Sequence, residues 1–299
     1  QAELRKMEGE IAFKTRQAFL GWLIAKAKHD AAVAGVAAAQ AQDLDAQEAV
    51  KAGNALKVLQ TGSRAELLQN RHRQLSAEAS LSDLGAELND LLGQPIDRPL
   101  DLALVLPKAL VLPPKEALLA EALKGNPDLA IVKESLEKSR SALRAGKADY
   151  IPEISAFARH TYQDGVPFLR NTSTTVGLTL AWSIFDWGKK TGVVSQRSAV
   201  VNQASENHRR IRTRVEIDLG KVLRKVDTAQ LLVEVAAEAQ ALNTEKARLM
   251  ANQYKAGLVP ASKKAEADAT AKTGDADLLA AQLGLELVYA ELNQLLGVH

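Results

Sequence analysis

The chain has 299 residues, a formal net charge of +2, 25% charged residues, 4% aromatics and no cysteine. Near-neutral charge leaves no footprint for nucleic acid, and the missing cysteine excludes disulfides, thiolate metal sites and a cysteine nucleophile. No apolar run reaches the roughly 18 residues of a transmembrane helix.

The opening Gln1-Ala2-Glu3-Leu4-Arg5-Lys6 lacks the basic and apolar regions of a signal peptide. A mature, cytoplasmic or truncated chain is expected. The longest apolar run, Ala31 to Ala39, is mostly alanine, which suits helices that approach closely. Residues 1–93 read as a long helix to about 52, a break at Gly53 and a return helix over 54–92.

That return helix closes on Ala86-Glu87-Leu88-Asn89-Asp90-Leu91-Leu92-Gly93, which recurs 204 residues later as Ala290-Glu291-Leu292-Asn293-Gln294-Leu295-Leu296-Gly297. Lys51-Ala52-Gly53 and Lys255-Ala256-Gly257 repeat at the same offset. Two matches at one offset mark an internal duplication of about 200 residues.

Residues 94–114 hold five of the nine prolines (Pro95, Pro99, Pro107, Pro113, Pro114) and read as an extended connector along the outside of a helical bundle. Helix resumes over 115–149, interrupted at Asn126-Pro127-Asp128. Residues 150–188 break the pattern with seven of the twelve aromatics: Tyr150, Phe157, Tyr162, Phe168, Trp182, Phe185 and Trp187. Two strands are expected here, at about 154–163 and 174–186, joined by a loop with Asp164-Gly165 and Asn171-Thr172. In the second, Val176, Leu178, Leu180, Trp182 and Ile184 face one way, and Thr175, Gly177, Thr179, Ala181 and Ser183 the other. Both strands have about the 9–11 residues of a tilted transmembrane β-strand. A soluble hairpin would pack its apolar face on a core. A barrel in lipid would turn it outward, with aromatics at the interface. The neighbouring helices have few large apolar residues to spare, which favours the barrel.

A single long helix is expected over 189–256, roughly 100 Å at 1.5 Å per residue. Val215, Leu219, Val222, Val226, Ala229, Val233 and Ala236 step alternately by four and three, the seam of a coiled coil. The same register runs on through Gln240, Asn243, Ala247, Met250 and Tyr254, where the seam turns partly polar. Looser packing near a helix end and a region that opens both fit. Gly257 and Pro260 read as helix stop and start. A return helix follows in 257–299, antiparallel to the first.

Nothing catalytic is visible. His29, His72, His160, His208 and His299 are scattered, with no metal spacing, phosphate loop or Ser-His-Asp set. No cofactor and no metal are expected, and the chain is not read as an enzyme.

Several phrases occur together in the order of one family. Ala122-Leu123-Lys124-Gly125-Asn126-Pro127-Asp128-Leu129 is similar to "AL..NPDL". Ala145-Gly146-Lys147-Ala148-Asp149-Tyr150-Ile151-Pro152-Glu153-Ile154 resembles a passage from helix into strand. Leu178-Thr179-Leu180-Ala181-Trp182-Ser183-Ile184-Phe185-Asp186-Trp187-Gly188-Lys189-Lys190 resembles a strand exit. Tyr254-Lys255-Ala256-Gly257-Leu258-Val259 resembles a "Y.AGL" turn. On these phrases the chain resembles the TolC family of outer-membrane efflux proteins over nearly its whole length.

The resemblance implies a mainly α fold with a small transmembrane β part. Long antiparallel coiled-coil helices in two structural repeats, plus a strand pair, would contribute to a trimeric α/β-barrel channel. It implies a homotrimer in the outer membrane of a Gram-negative bacterium, mostly in the periplasm and in contact with outer-membrane lipid. The function implied is a passive exit duct of a tripartite efflux or type I secretion system, docked to a periplasmic adaptor (membrane fusion) protein and an inner-membrane pump. In the family a "GL" motif at the helix turns meets the adaptor. Gly257, Leu258 and Val259 match it, whereas Gly53, Asn54 and Ala55 keep the glycine and lose the leucine. Glycine serves the turn whatever docks there. The family narrows its tip with acids six and nine residues past this glycine, here Lys263 and Glu266. Three Glu266 carboxylates would form a cation-favouring ring that Lys263 partly offsets; a solvated helix face is the plain alternative. Thr175, Gly177, Thr179, Ala181 and Ser183 would line a wide lumen, and Val176, Leu178, Leu180, Trp182 and Ile184 would face lipid.

The second copy's strands have no counterpart in the first, and three chains would supply half of the family's twelve strands. An N-terminally truncated piece of a longer protein is therefore expected. The competing reading is a non-transporting structural coiled-coil protein with a soluble β-hairpin. No residue names the cargo.

Overall fold

A computed structural model of the chain describes residues 2–103, 112–163 and 172–298. Pro107 of the connector, Asp164, Gly165, Phe168 and Asn171 of the strand loop, and His299 lie outside the described residues. Among the described residues six helices and two strands follow in the order α1 (Ala2–Lys51), α2 (Lys57–Leu91), α3 (Lys115–Gly125), α4 (Pro127–Ala148), β1 (Glu153–Tyr162), β2 (Thr172–Ala181), α5 (Lys189–Lys255) and α6 (Ala261–Leu296). They divide into two compact units, one of residues 3–126 with 215–299, the other of residues 127–214.

In the first unit the helices meet in the sequence α2, α1, α6, α5. Alanines make the close approaches: Ala18, Ala25, Ala31, Ala38, Ala39 and Ala46 of α1 are all buried, most of them seven residues apart. Val36 and Ala39 of α1 pack on Leu67 of α2. Leu20, Trp22 and Leu23 of α1 pack on Leu283 of α6, covered by Leu100 and Leu102 of the connector. Val215, Leu219 and Val222 of α5 join Leu292 and Leu296 of α6 beneath Leu118 and Ala122 of α3. The heptad register on α5 persists beyond them: Ala229, Val233, Ala236, Gln240, Asn243, Ala247 and Met250 are all half-buried. Its polar members have partners or close neighbours across the seam. Gln240 donates to Asp275 at 2.9 Å, and Asn243 lies against Gly274 of α6.

Two buried asparagines tie helix ends to their surroundings. Asn89 Nδ2 donates to the carbonyls of Ile96 and Arg98 at 3.0 and 2.9 Å, pinning the start of the connector to α2. Asn126 Nδ2 donates to Leu295 O at 3.0 Å, pinning the end of α3 to the end of α6.

The second unit holds α4, the strand pair and the first part of α5. Arg197 of α5 reaches Ala142 O of α4 at 2.8 Å, its guanidinium lying where a side chain at Gly146 would sit. β1 and β2 pair antiparallel with Ile154 opposite Leu180, Ala156 opposite Leu178 and Ala158 opposite Val176. Directly opposed residues share a face, so this face is apolar at the Ile154–Leu180 end and turns polar toward the loop, where His160 stands opposite Thr174 at 2.8 Å. The other face carries Ser155, Arg159 and Phe157 opposite Thr179, Thr175 and Gly177.

Three expectations need correction. β2 spans Thr172–Ala181, so Trp182, Ser183 and Ile184 follow the strand instead of belonging to it. Ala181 pairs with Glu153, the first residue of β1, and the preceding Pro152 has no N–H to extend the ladder. The face of Thr175, Gly177, Thr179 and Ala181 is not uniformly small either. Its cross-strand partners add Arg159, Phe157 and Glu153, and the Phe157 ring fills the space above Gly177. Lastly, the first return helix begins at Lys57, three residues later than the expected 54.

Candidate functional site

The two turns that end α1 and α5 have one backbone design. After α5, Gly257 N–H donates to Tyr254 O at 3.0 Å and Leu258 N–H to Gln253 O at 2.9 Å. After α1, Gly53 N–H donates to Val50 O at 3.1 Å and Asn54 N–H to Ala49 O at 2.9 Å. This paired bonding satisfies the last helical carbonyls and needs a left-handed residue, supplied by Gly53 (φ 73°) and Gly257 (φ 70°). In such a cap the apolar residue after the glycine commonly folds back on the helix. Leu258 does not: it is 74% exposed. Val259 beside it is half-buried.

In the first turn Asn54 takes the place of Leu258, yet the turn is not without an apolar prong. Leu56, two residues on, is 78% exposed, and Val58 behind it is exposed as well. The motif comparison missed Leu56 because it is displaced from the glycine. The signal available was a lone leucine among Asn54, Ala55 and Lys57. Next to these turns lies a groove of about 720 Å³ walled by Ala46 and Ala49 of α1, Val58 and Leu59 of α2, and Ser262 and Lys263 of α6.

Lys263 and Glu266 are brought together. Lys263 Nζ lies 2.8 Å from Glu266 Oε2, and Gln42 Nε2 of α1 donates to the same oxygen at 3.4 Å. The hydrogen bond and charge of Glu266 raise the Lys263 pKa above its ordinary value. Lys263 stands in the first turn of α6, where the helix dipole disfavours a cation; the carboxylate one turn on offsets that. A further polar cluster, which the sequence did not announce, sits deeper between α1 and α2. Asp43, only 4% exposed, accepts from Ser63 Oγ at 2.9 Å and Gln47 Nε2 at 2.8 Å.

Val176, Leu178 and Leu180 of β2 are exposed, as is Ile154 of β1 opposite Leu180. Trp182 and Ser183 lie at the junction with α5, where Trp182 Nε1 donates to Tyr150 O at 3.3 Å and Ser183 O accepts from Lys190 Nζ at 2.8 Å. Among the described residues there is no group of side chains that could hold a metal ion, and no helix is long and apolar enough to cross a membrane.

The sequence profile of outer membrane efflux proteins matches residues 118–298. The chain belongs to the outer membrane efflux protein family. That is a family of passive channels, not enzymes, and the likeness to TolC-family channels read from the sequence motifs holds. Solved channels share the fold. The outer membrane protein VceC from Vibrio cholerae is 15% identical with a TM-score of 0.76, over 99% of this chain and 74% of that one. CusC is 14% identical with a TM-score of 0.79, over 100% of this chain and 70% of that one. The MtrE outer membrane channel of Neisseria gonorrhoeae is 17% identical with a TM-score of 0.68, over 99% and 70%. No curated protein sequence matches. Membership places this efflux protein in the outer membrane, and the alternative of a non-transporting coiled-coil protein gives way to it.

Proposed function

We propose that this efflux protein assembles as a homotrimer into a passive exit duct, with most of the chain in the periplasm. In this reading its helix turns dock a periplasmic adaptor that couples the duct to an inner-membrane pump. The observation that carries the proposal is a second apolar stripe on each outer helix of the first unit. On α5, Leu232, Val235, Leu242 and Leu249 are exposed at coiled-coil spacing, one residue before each seam position that packs on α6. On α2, Leu68 and Leu75 are exposed seven residues apart. Stripes of this length in water mark an interface.

The two stripes match in height. Leu68 stands fifteen residues after Gly53 and Leu242 fifteen before Gly257; Leu75 and Val235 each stand twenty-two residues from the same glycines. The Gln42–Glu266 contact sets both turns at one end of the helices. The α2 stripe of one copy therefore meets the α5 stripe of the next, and repetition of that single contact closes a ring. The exposed Val176, Leu178 and Leu180 are the lipid-facing residues of this reading, and Leu258 with Gly257, Val259 and Gly53 the adaptor contact.

The cysteine-free chain makes the test direct. With Leu68→Cys and Leu242→Cys in one chain, oxidation in membranes should yield a covalent trimer, and each single variant should stay uncross-linked. A covalent dimer as end product, or no product at all, counts against the ring.

A further inference from the structure

Three exposed cations stand close together on α5: Lys221, Arg224 and Lys225. They rim a groove of about 620 Å³ between α5 and α6, floored by Leu232 of α5 and by Ala281 and Val288 of α6. Two of the three have partners within the chain. Lys221 Nζ lies 3.0 Å from Asp218, and Lys225 Nζ lies 2.7 Å from Glu291. Arg224 has no carboxylate partner among the described residues.

The far part of α2 shows the opposite sign. Asp83 and Asp90 are exposed, and neither has a cation partner among the described residues. They are seven residues apart, so they share one line of the helix. That line runs beside the continuation of the Leu68 and Leu75 stripe, as the three cations lie on and beside that of the α5 stripe. The heights agree as well. Arg224 stands thirty-three residues before Gly257, and Asp83 and Asp90 stand thirty and thirty-seven after Gly53. With α2 of one copy against α5 of the next, the guanidinium comes level with the gap between the two carboxylates, about 4–6 Å from each along the axis. The planar fork of arginine suits that position better than a lysine would.

The leucines by themselves leave the register open, because a stripe that repeats every seven residues can slip by seven. A slip of that size in either direction leaves Arg224 level with one carboxylate instead of two.

We propose that Asp83 and Asp90 of one copy close on Arg224 of the next, beside the groove between α5 and α6, and that this charge contact selects the register and the partner of the ring. The proposal rests on the homotrimer of the preceding reading and goes beyond it by naming what decides how two copies fit. Charges across an interface add specificity more than affinity. A chain with these signs exchanged should therefore pair with itself and reject the unaltered chain.

The test expresses two differently tagged chains together, one unaltered and one carrying Asp83→Arg, Asp90→Arg and Arg224→Glu. Each should form trimers with itself, and trimers holding both tags should be about fivefold rarer than random assortment gives. Arg224→Glu alone should release subunits in detergent about tenfold faster at low salt, with the difference shrinking at about 1 M salt. Its circular dichroism should not change, since the residue is exposed. Random assortment of the two tags overturns the charge contact. A triple variant that dissociates as fast as Arg224→Glu also overturns it, by placing the role of Arg224 within its own chain. The Leu68→Cys and Leu242→Cys pair separates this from failure of the ring. Cross-linked trimers together with random assortment leave the ring standing without the charge contact; no cross-linked trimer from the otherwise unaltered chain removes both. Should charge reversal disturb folding, Arg224→Gln removes the charge alone, and release at the unaltered rate overturns the contact equally.

Discussion

Lys263 Nζ and Glu266 Oε2 lie 2.8 Å apart on consecutive turns of α6, so the acid expected to charge the channel tip carries its own counter-ion. Each copy contributes a formal charge of zero from this pair. Lys263→Ala should therefore shift the channel toward cations by baring Glu266, and Glu266→Ala should shift it toward anions. Reversal potentials across planar bilayers under a salt gradient measure both; no shift in either variant would place the pair away from the conduction path. The pair also has a pH signature. The Lys263 pKa is raised by Glu266, so its contribution is fully present below the ordinary lysine value and is lost as pH rises through the raised one. Selectivity should accordingly hold across neutral pH and drift toward cations only under strong alkali. Both side chains are more than one-third exposed, so the contribution to stability is small.

Leu258 and Leu56 expose apolar side chains that no contact within the chain requires. Leu258→Glu should abolish export while leaving the trimer assembled, and Leu56→Glu should weaken export in the same direction. Export of the cargo from cells and native electrophoresis of membrane extracts read the two properties separately. Export at the unaltered level from Leu258→Glu would remove that residue from the adaptor contact.

On α5 the inward seam and the outward stripe are one residue apart, so they can be separated by mutation. Val235→Asp places a charge on the outward stripe and should cost a monomer no more than about 0.5 kcal/mol, yet disperse the trimer. Val226→Asp, on the buried seam, should unfold the helix pair itself. Mass photometry in detergent with circular dichroism tells dispersal from unfolding; trimers of normal stability in Val235→Asp would show that the stripe is not an interface.

Asp43 is a buried carboxylate whose Oδ1 and Oδ2 take donors from Ser63 and Gln47. Arg64 stands farther off at 3.9 Å and is largely exposed, so it contributes little. Asp43→Ala takes the acceptor from Gln47 Nε2, while Ser63 Oγ keeps Gln60 O at 3.0 Å, and should destabilise the α1–α2 pair by about 1–2 kcal/mol. Asp43→Asn should recover part of that. Thermal melts followed by circular dichroism give both values, and a neutral Asp43→Ala would show the cluster to be dispensable.

Gly125, at the end of α3, lies against the backbone carbonyl of Leu296 at the end of α6. A methyl group there has no flexible side chain to displace, so one helix end must shift. Gly125→Ala should cost about 1–3 kcal/mol, and Asn126→Ala, which removes the bond to Leu295 O, should act in the same direction. Chemical unfolding in detergent checks both; wild-type stability in Gly125→Ala would mean the junction is loosely packed.

Much of this protein could be read from local pattern. Helix periodicity, the glycine turns and the period-two strands are set by residues within a few positions of one another, and the repeated Ala-Glu-Leu-Asn-x-Leu-Leu-Gly phrase gave the register of the two halves. Helix and strand repeats are properties of the backbone itself, so the seam from Val215 to Met250 could be counted without coordinates. What required the folded chain depends on partners far apart in sequence. The end of β2 at Ala181 follows from where β1 begins. Phe157 shares a polar face because Gly177, opposite it, leaves room. Asp43 is satisfied by Ser63 from another helix. Leu258 and Leu56 stand out as prongs only once the helices around them are packed and neither is covered. Conformation follows from neighbours along the chain, whereas burial, pairing and charge balance follow from neighbours in space, and only packing decides who those are.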